Sequence, residues 1–114
     1  MAKINKRVKN RVSTKNLISY VCTDESNAIV ETGMGRTLNV SESGIMLETH
    51  NQIDVNLTIL LSLGLEENLI DIKGKVIHST ADNKGKYTTG IQFTELEETA
   101  RMQLNKFIEA FKSS

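Results

Sequence analysis

The stretch Arg36-Thr37-Leu38-Asn39-Val40-Ser41-Glu42-Ser43-Gly44 is followed by an apolar run that starts at Ile45, so it predicts a strand, a turn and a second strand. Alternation predicts that Leu38 and Val40 point to one side, and that Thr37, Asn39 and Ser41 point to the other. An amide and a hydroxyl then stand on one face beside a glycine. Such short polar groups suit the edge of a flat ligand. They are also the usual residues of a plain hairpin turn, which is the simpler interpretation of this stretch alone.

Further strand patterns lie on both sides of this stretch. Residues 57–65 have leucine or isoleucine at every odd position, which is the period of a strand with one buried face. Asp82-Asn83-Lys84-Gly85 is a strong hairpin signal. Gly74 falls on the buried face of its strand and can mark a bulge. The remaining predicted strands are Leu17–Thr23, Ala28–Glu31 (ended by Gly33-Met34-Gly35), Ile45–Glu48, Leu69–Ser79 and Lys86–Phe93.

The last part of the chain predicts a helix at about residues 95–112. Thr94 and Glu97 have the spacing of a capping box, in which each side chain bonds the other's backbone amide. Apolar residues then recur at helical spacing: Leu96, Ala100, Leu104, Phe107, Ile108 and Phe111. About six strands in hairpin succession and one closing helix predict a mainly β fold, a six-stranded antiparallel barrel with a C-terminal α-helix on it.

The charge of the chain is divided unevenly, although the formal net charge of its 114 residues is zero. Six bases and no acid lie in the first fifteen residues, and the remaining residues carry eight bases and fourteen acids, a net of −6. Residues 1–13 are therefore interpreted as a flexible basic arm, and residues 14–114 as the barrel with its helix. A basic end on an acidic domain suggests a site for a compact anion there.

The sequence offers little for catalysis. His50 and His78 have no cysteine or histidine neighbours at ligand spacing, so both are expected at the surface or at a strand edge, and no metal site is predicted. No nucleophile elbow or phosphate loop is present. We therefore expect neither an enzyme nor a cofactor. The single cysteine, Cys22, is expected to be buried, and the absence of a long apolar run favours a cytoplasmic protein without membrane insertion.

Two short motifs, one near the start of the chain and one at the predicted turn, resemble those of a known family. Arg-x-x-x-Arg occurs at Arg7 and Arg11, and Asn-x-Ser-x-x-Gly occurs at Asn39, Ser41 and Gly44. Together with the predicted barrel and helix, they resemble the PilZ domain, a family of bacterial receptors for cyclic di-GMP. The run 90–93, Gly-Ile-Gln-Phe, is also similar to the end of a PilZ barrel.

The resemblance implies how the ligand would be held. Arg7 and Arg11 would grip guanine and phosphate groups, as guanidinium forks match both. Asn39 and Ser41 would hydrogen-bond a guanine, and Gly44 would allow the turn and the close approach of the ligand. Lys6 stands at the position that the family associates with binding one ligand or a stacked pair, and it leaves the stoichiometry open. Ser43 stands where members often have a second glycine, which is tolerable unless that residue needs a positive φ.

The expected function is that of a cyclic di-GMP receptor whose arm folds onto the barrel, so that a protein partner recognises the altered surface. One alternative is a nucleotide-independent adaptor of the same family, although such members usually lack one or both motifs. Another is a barrel that binds single-stranded nucleic acid. The low aromatic content of 4% argues against this last function, because such sites stack bases on aromatic side chains.

Overall fold

The computed structural model describes residues 17–65 and 68–113. These form six antiparallel strands and one helix: β1 (Leu17–Thr23), β2 (Ile29–Val40), β3 (Gly44–Thr49), β4 (Thr58–Leu65), β5 (Asn68–Ala81), β6 (Tyr87–Glu95) and α1 (Glu98–Ser113). The strands close into a barrel in the order β1-β2-β3-β6-β5-β4. The predicted fold is confirmed. The basic arm, with Lys6, Arg7 and Arg11, lies outside the described residues.

The barrel interior is filled by alternate side chains of every strand. The period-two pattern of β4 is confirmed, since Ile59, Leu61 and Leu63 are completely buried. Cys22 is buried as well, as expected. Burial of each such aliphatic side chain is worth about 1.5–3 kcal/mol, so the alternation stabilises the strand register as well as the core.

The prediction that Gly33-Met34-Gly35 ends a short strand is wrong, because β2 runs unbroken through these residues. The glycines instead make room for neighbouring side chains. A Cβ atom on Gly33 would lie 2.7 Å from Tyr20 Oη, and one on Gly35 would lie 3.3 Å from Leu47 Cβ. Both glycines therefore serve the packing of the barrel wall within a continuous strand.

The predicted alternation around Asn39 is also wrong in one respect. Thr37 points into the barrel and is 1% exposed, whereas Asn39 is exposed. The register explains this: Thr37 pairs with Leu47 and Asn39 with Met46, so Leu38 is an extra residue with no partner on β3. This is a β-bulge, which breaks the period of two and turns the following side chain to the other face. Another register shift lies beside Gly74, where a bulge or bend is predicted, but the extra residue is Thr94 of β6, because Lys73 pairs with Glu95 and Gly74 with Phe93.

The helix begins later than the capping box predicts. β6 continues to Glu95, which pairs with Lys73 of β5, and the Thr94 hydroxyl donates to the Lys73 carbonyl at 3.3 Å. The first turn of α1 instead closes with the bond from Arg101 N to Glu97 O at 2.8 Å. Thr94 therefore belongs to β6 and does not cap the helix. The apolar stripe is confirmed, because the helix lies against β4 and β5 with three buried side chains: Leu104, Phe107 and Ile108.

Candidate ligand-binding site

The turn between β2 and β3 is fixed by its own hydrogen bonds. Ser41 N donates to Gly44 O at 2.9 Å, and Ser43 N donates to Ser41 Oγ at 3.3 Å. The turn is also tied to β6, because Phe93 N donates to Ser43 O at 2.9 Å. We call residues 39–44 the β2–β3 corner. Its backbone is held in place without a ligand, so its polar side chains are presented in a fixed arrangement.

Asn39 presents an unused hydrogen-bond donor on the outside of the barrel. Its Oδ1 accepts a bond from Val40 N at 2.9 Å. The Nδ2 group has no hydrogen-bond partner among the described residues, and the side chain is exposed. An amide that is oriented by one bond and free at its donor end is suited to an acceptor on a ligand.

The glycine at the end of the corner is required by strand packing. A Cβ atom on Gly44 would collide with the carbonyl oxygen of Ile91, and it would lie 3.5 Å from Gln92 Cα on the same neighbouring strand. Its φ is not positive, and among the described non-glycine residues only Asn27 and Asn56 have a positive φ. Ser43 therefore has no positive φ, and a serine adopts this position without backbone strain. The second glycine that family members often have here is not required.

The corner forms one side of an open depression of about 180 Å³ on the outer wall of the barrel. Its lining brings together three residues that the sequence predicted, Asn39, Ser41 and Gly44, and adds Met46, Ile77 and His78. Register explains the grouping, because Asn39 pairs with Met46, Met46 with Gly90, and Gly90 with His78. The depression therefore crosses β2, β3, β6 and β5.

No pattern in the sequence marks Met46 and His78 as site residues. Met46 reads as one more apolar residue in a strand, and His78 as a surface residue. The pairing of β2 with β3 brings Met46 beside Asn39, and the pairing of β3 with β6 and of β6 with β5 adds His78 to the same row. His50, the other histidine, is exposed and does not line the depression.

An ion pair lies on the same wall beside the depression. Arg36 Nη2 is 3.2 Å from Glu48 Oε1, and these residues are direct partners across β2 and β3. The Glu48 side chain is only 9% exposed. This carboxylate neutralises Arg36, so the positive charge that an anionic ligand needs is not supplied here by that arginine.

The groups with shifted pKa values lie elsewhere. Burial, followed by the nearby Glu31 carboxylate, raises the pKa of Tyr20 to about 12 and that of Cys22 to about 11. The amides of Lys84 and Lys86, 2.8 and 3.0 Å from Asp82 Oδ1, hold the pKa of that carboxyl below its usual value. This confirms the predicted hairpin, whose Gly85 has a φ of 82°.

Within the described part of the chain, no three His, Cys, Asp or Glu side chains come close enough together to hold a metal ion. No helix in the same residues has the length and apolarity needed to cross a membrane.

A sequence model described as the PilZ domain matches residues 5–110 of the chain. The chain belongs to the PilZ domain family. The match begins before Lys6, so it includes both arginines of the Arg-x-x-x-Arg motif as well as the β2–β3 corner. No curated protein matches the chain.

Solved structures of MrkH have the same fold. MrkH of K. pneumonia in its apo state is 16% identical with a TM-score of 0.59, and the match covers 96% of this chain and 54% of MrkH. A structure of MrkH described as a c-di-GMP dependence transcription regulatory factor is 15% identical with a TM-score of 0.61, covering 95% and 49%. The chain thus spans about half the length of these proteins, and the likeness supports the PilZ-type barrel.

Proposed function

We propose that this protein is a receptor for cyclic di-GMP, which binds at the depression beside the β2–β3 corner. The observation that carries the proposal is the grouping of Asn39, Ser41 and Gly44 around one depression in a chain that belongs to the PilZ family. The description of MrkH as a c-di-GMP-dependent regulator supports the same ligand. The role is one of binding rather than catalysis.

The size of the depression supports a ligand that is only partly held by the barrel. Pockets that enclose a whole small molecule usually measure about 300–1,000 Å³, whereas this depression measures about 180 Å³. One guanine of cyclic di-GMP would lie in it, with its edge on the Asn39 amide. The second base and both phosphates then need another part of the chain to cover them.

The basic arm is the part of the chain that can cover the second base and both phosphates. Leu17, the first residue of β1, pairs with Arg36 of β2, so the chain before β1 joins the barrel next to the strand that carries Asn39. Six residues separate Leu17 from Arg11 and ten separate it from Arg7. At about 3.3–3.6 Å per extended residue, these lengths reach about 20 and 35 Å, which is enough to bring both arginines to the depression.

Charge supplies the driving force for this closure. The first fifteen residues carry six bases, five of them in the arm, while the rest of the chain has a net charge of −6. The one described arginine near the depression is paired with Glu48. Arg7 and Arg11 would therefore provide the guanidinium groups for the phosphates and a guanine edge. Lys6 would set whether one ligand or a stacked pair is bound. Closure of the arm changes the surface, and a protein partner recognises the closed form.

Isothermal titration with cyclic di-GMP tests the proposal. We expect saturable heat with cyclic di-GMP and none with GMP, which has a single base and a single phosphate and cannot span the depression and the arm. Absence of heat at tens of micromolar protein, with the barrel shown to be folded by circular dichroism, would count against the proposal. A protein partner that is captured equally with and without the nucleotide would instead support the adaptor function.

A further inference from the structure

The side of the depression opposite Asn39 is formed by His78 on β5. The pairing of neighbouring strands places Asn39, Met46, Gly90 and His78 in one row across the wall. Three strand spacings of about 4.8 Å separate the two ends of this row, so the path along the curved barrel wall from Asn39 to His78 is about 14 Å. The residues at both ends of the row line the same depression, and Met46 lies between them.

A further β-bulge, at Ile77, turns His78 to the outside. The register of β5 shifts between Val76, which pairs with Ile91, and His78, which pairs with Gly90. Val76 is completely buried and Ile77 is 49% exposed. Strict alternation would place His78 inside with Val76, and the extra residue Ile77 prevents this. The bulges at Leu38 and Ile77 thus act alike: each turns one polar side chain outward at one end of the same row.

The imidazole ring of His78 lies directly on the backbone of β6. A Cβ atom on Gly90 would collide with Nε2 of the ring and would lie 2.8 Å from both Cδ2 and Cε1. Only glycine leaves room for the ring in this position. The ring is half-buried, and within the described residues its nitrogens make no hydrogen bond. An aromatic ring with an uncommitted N–H therefore lies at the edge of the depression.

We propose that His78 is a ligand-contacting residue that selects for guanine. This inference rests on the proposed function, since it assigns a residue to the same site. The base would lie with its face on Met46 and Ile77, one edge on the Asn39 amide and the other on the imidazole. A histidine N–H donates to O6 of guanine, whereas adenine carries an amino donor at the corresponding position, so this bond discriminates between the two purines. The thioether of Met46 suits an aromatic face.

Proton NMR of the unmodified protein gives the most direct test, because the chain has two histidines and hence two sets of imidazole signals. Titration with cyclic di-GMP is expected to shift the His78 signals in proportion to the bound fraction and to leave those of His50 unchanged. The variant His50→Ala assigns the signals and serves as the matched control. If the protein is saturated with cyclic di-GMP and the imidazole signals of His78 do not shift, the inference is wrong.

Affinity provides the second readout. We expect His78→Ala to weaken binding of cyclic di-GMP about tenfold, the loss of about one hydrogen bond, and His50→Ala to stay within about twofold of the unmodified protein. His78→Leu, which still covers Gly90, should lose as much as His78→Ala. Binding at the original affinity in both His78 variants would overturn this inference alone. Failure of the unmodified protein to bind would overturn the proposed function, and this inference with it.

Discussion

Thr37 and Asn39 are two residues apart on one strand, yet Thr37 points into the barrel and Asn39 points to solvent. The bulge at Leu38 is the cause. Leu38 is an extra residue of β2 between Thr37 and Asn39, whose partners on β3 are adjacent to each other. The polar face of the corner therefore depends on a local irregularity of the sheet. A strictly regular strand would have buried the Asn39 amide together with Thr37.

Thr37→Val is expected to stabilise the protein. Thr37 Oγ1 is buried and has no hydrogen-bond partner among the described residues, so an isosteric methyl group removes a desolvation penalty of about 1–3 kcal/mol. Thr89→Val is the matched control. The Thr89 hydroxyl is completely buried and bonded to Thr49 Oγ1 at 3.0 Å and to Ser79 Oγ at 2.8 Å, so its loss should destabilise by a similar amount. Urea denaturation measures both, and a destabilised Thr37→Val would show that the Thr37 hydroxyl has a hydrogen-bond partner after all.

Gly44→Ala is expected to destabilise the barrel in the absence of any ligand. The new methyl group would meet the carbonyl oxygen of Ile91, which is backbone and cannot move aside, at a cost of about 1–3 kcal/mol. Gly64→Ala is the control, since nothing lies within 4 Å of a Cβ atom there. It should be neutral or slightly stabilising. Equal melting temperatures for the two variants would show that Gly44 is not held against β6.

Stability is expected to fall as the pH rises above about 9. The ordinary pKa values are 10.0 for Tyr20 and 9.0 for Cys22, and the fold raises them to about 12 and about 11, chiefly by burial. The folded protein therefore keeps these protons at a pH where the unfolded chain has lost them. The contribution is complete below the unfolded pKa values and is lost as the pH rises through the folded ones.

Thermal melts at neutral pH and at about pH 10.5 would measure this loss, since the latter lies between the ordinary and the raised values. The double variant Tyr20→Phe and Cys22→Ala removes both groups and should show a shallower decline. If the double variant declines as steeply as the unmodified protein, other groups cause the loss and the assignment is wrong.

Arg7→Ala and Arg11→Ala are each expected to abolish measurable binding of cyclic di-GMP while leaving the melting temperature of the ligand-free protein nearly unchanged. Both arginines are proposed to contact only the ligand, and a charge-assisted hydrogen bond is about twice as strong as a neutral one. Lys3→Ala removes one positive charge from the same arm and serves as the control. A large fall in the melting temperature of the ligand-free variants would mean that the arginines stabilise the fold instead.

The sequence predicts most strands and the core well because alternation is a local property. The odd-numbered leucines and isoleucines of β4 specify its buried face without reference to any other strand. The capping box predicts a helix start that is too early, because Thr94 can either cap the helix or continue β6. The pairing of Glu95 with Lys73 on a distant strand decides between these two roles. That competition is not visible in the local sequence.

The candidate site could be predicted only in part for the same reason. Asn39, Ser41 and Gly44 form a motif that can be seen in the sequence, and they do line one depression. The bulges at Leu38 and Ile77 are relationships between two strands, so no single strand reveals them. His78 faces the depression solely because of such a bulge, and it was therefore missed.

The most direct test of the central claim is an amide NMR titration of the protein with cyclic di-GMP. The account predicts that the largest shifts occur at the β2–β3 corner, at Met46 and Gly90, and around Ile77 and His78, while the opposite wall, including Val21 and Leu60, changes little. Shifts concentrated on that opposite wall, or no shifts at a saturating concentration of the nucleotide, would contradict it.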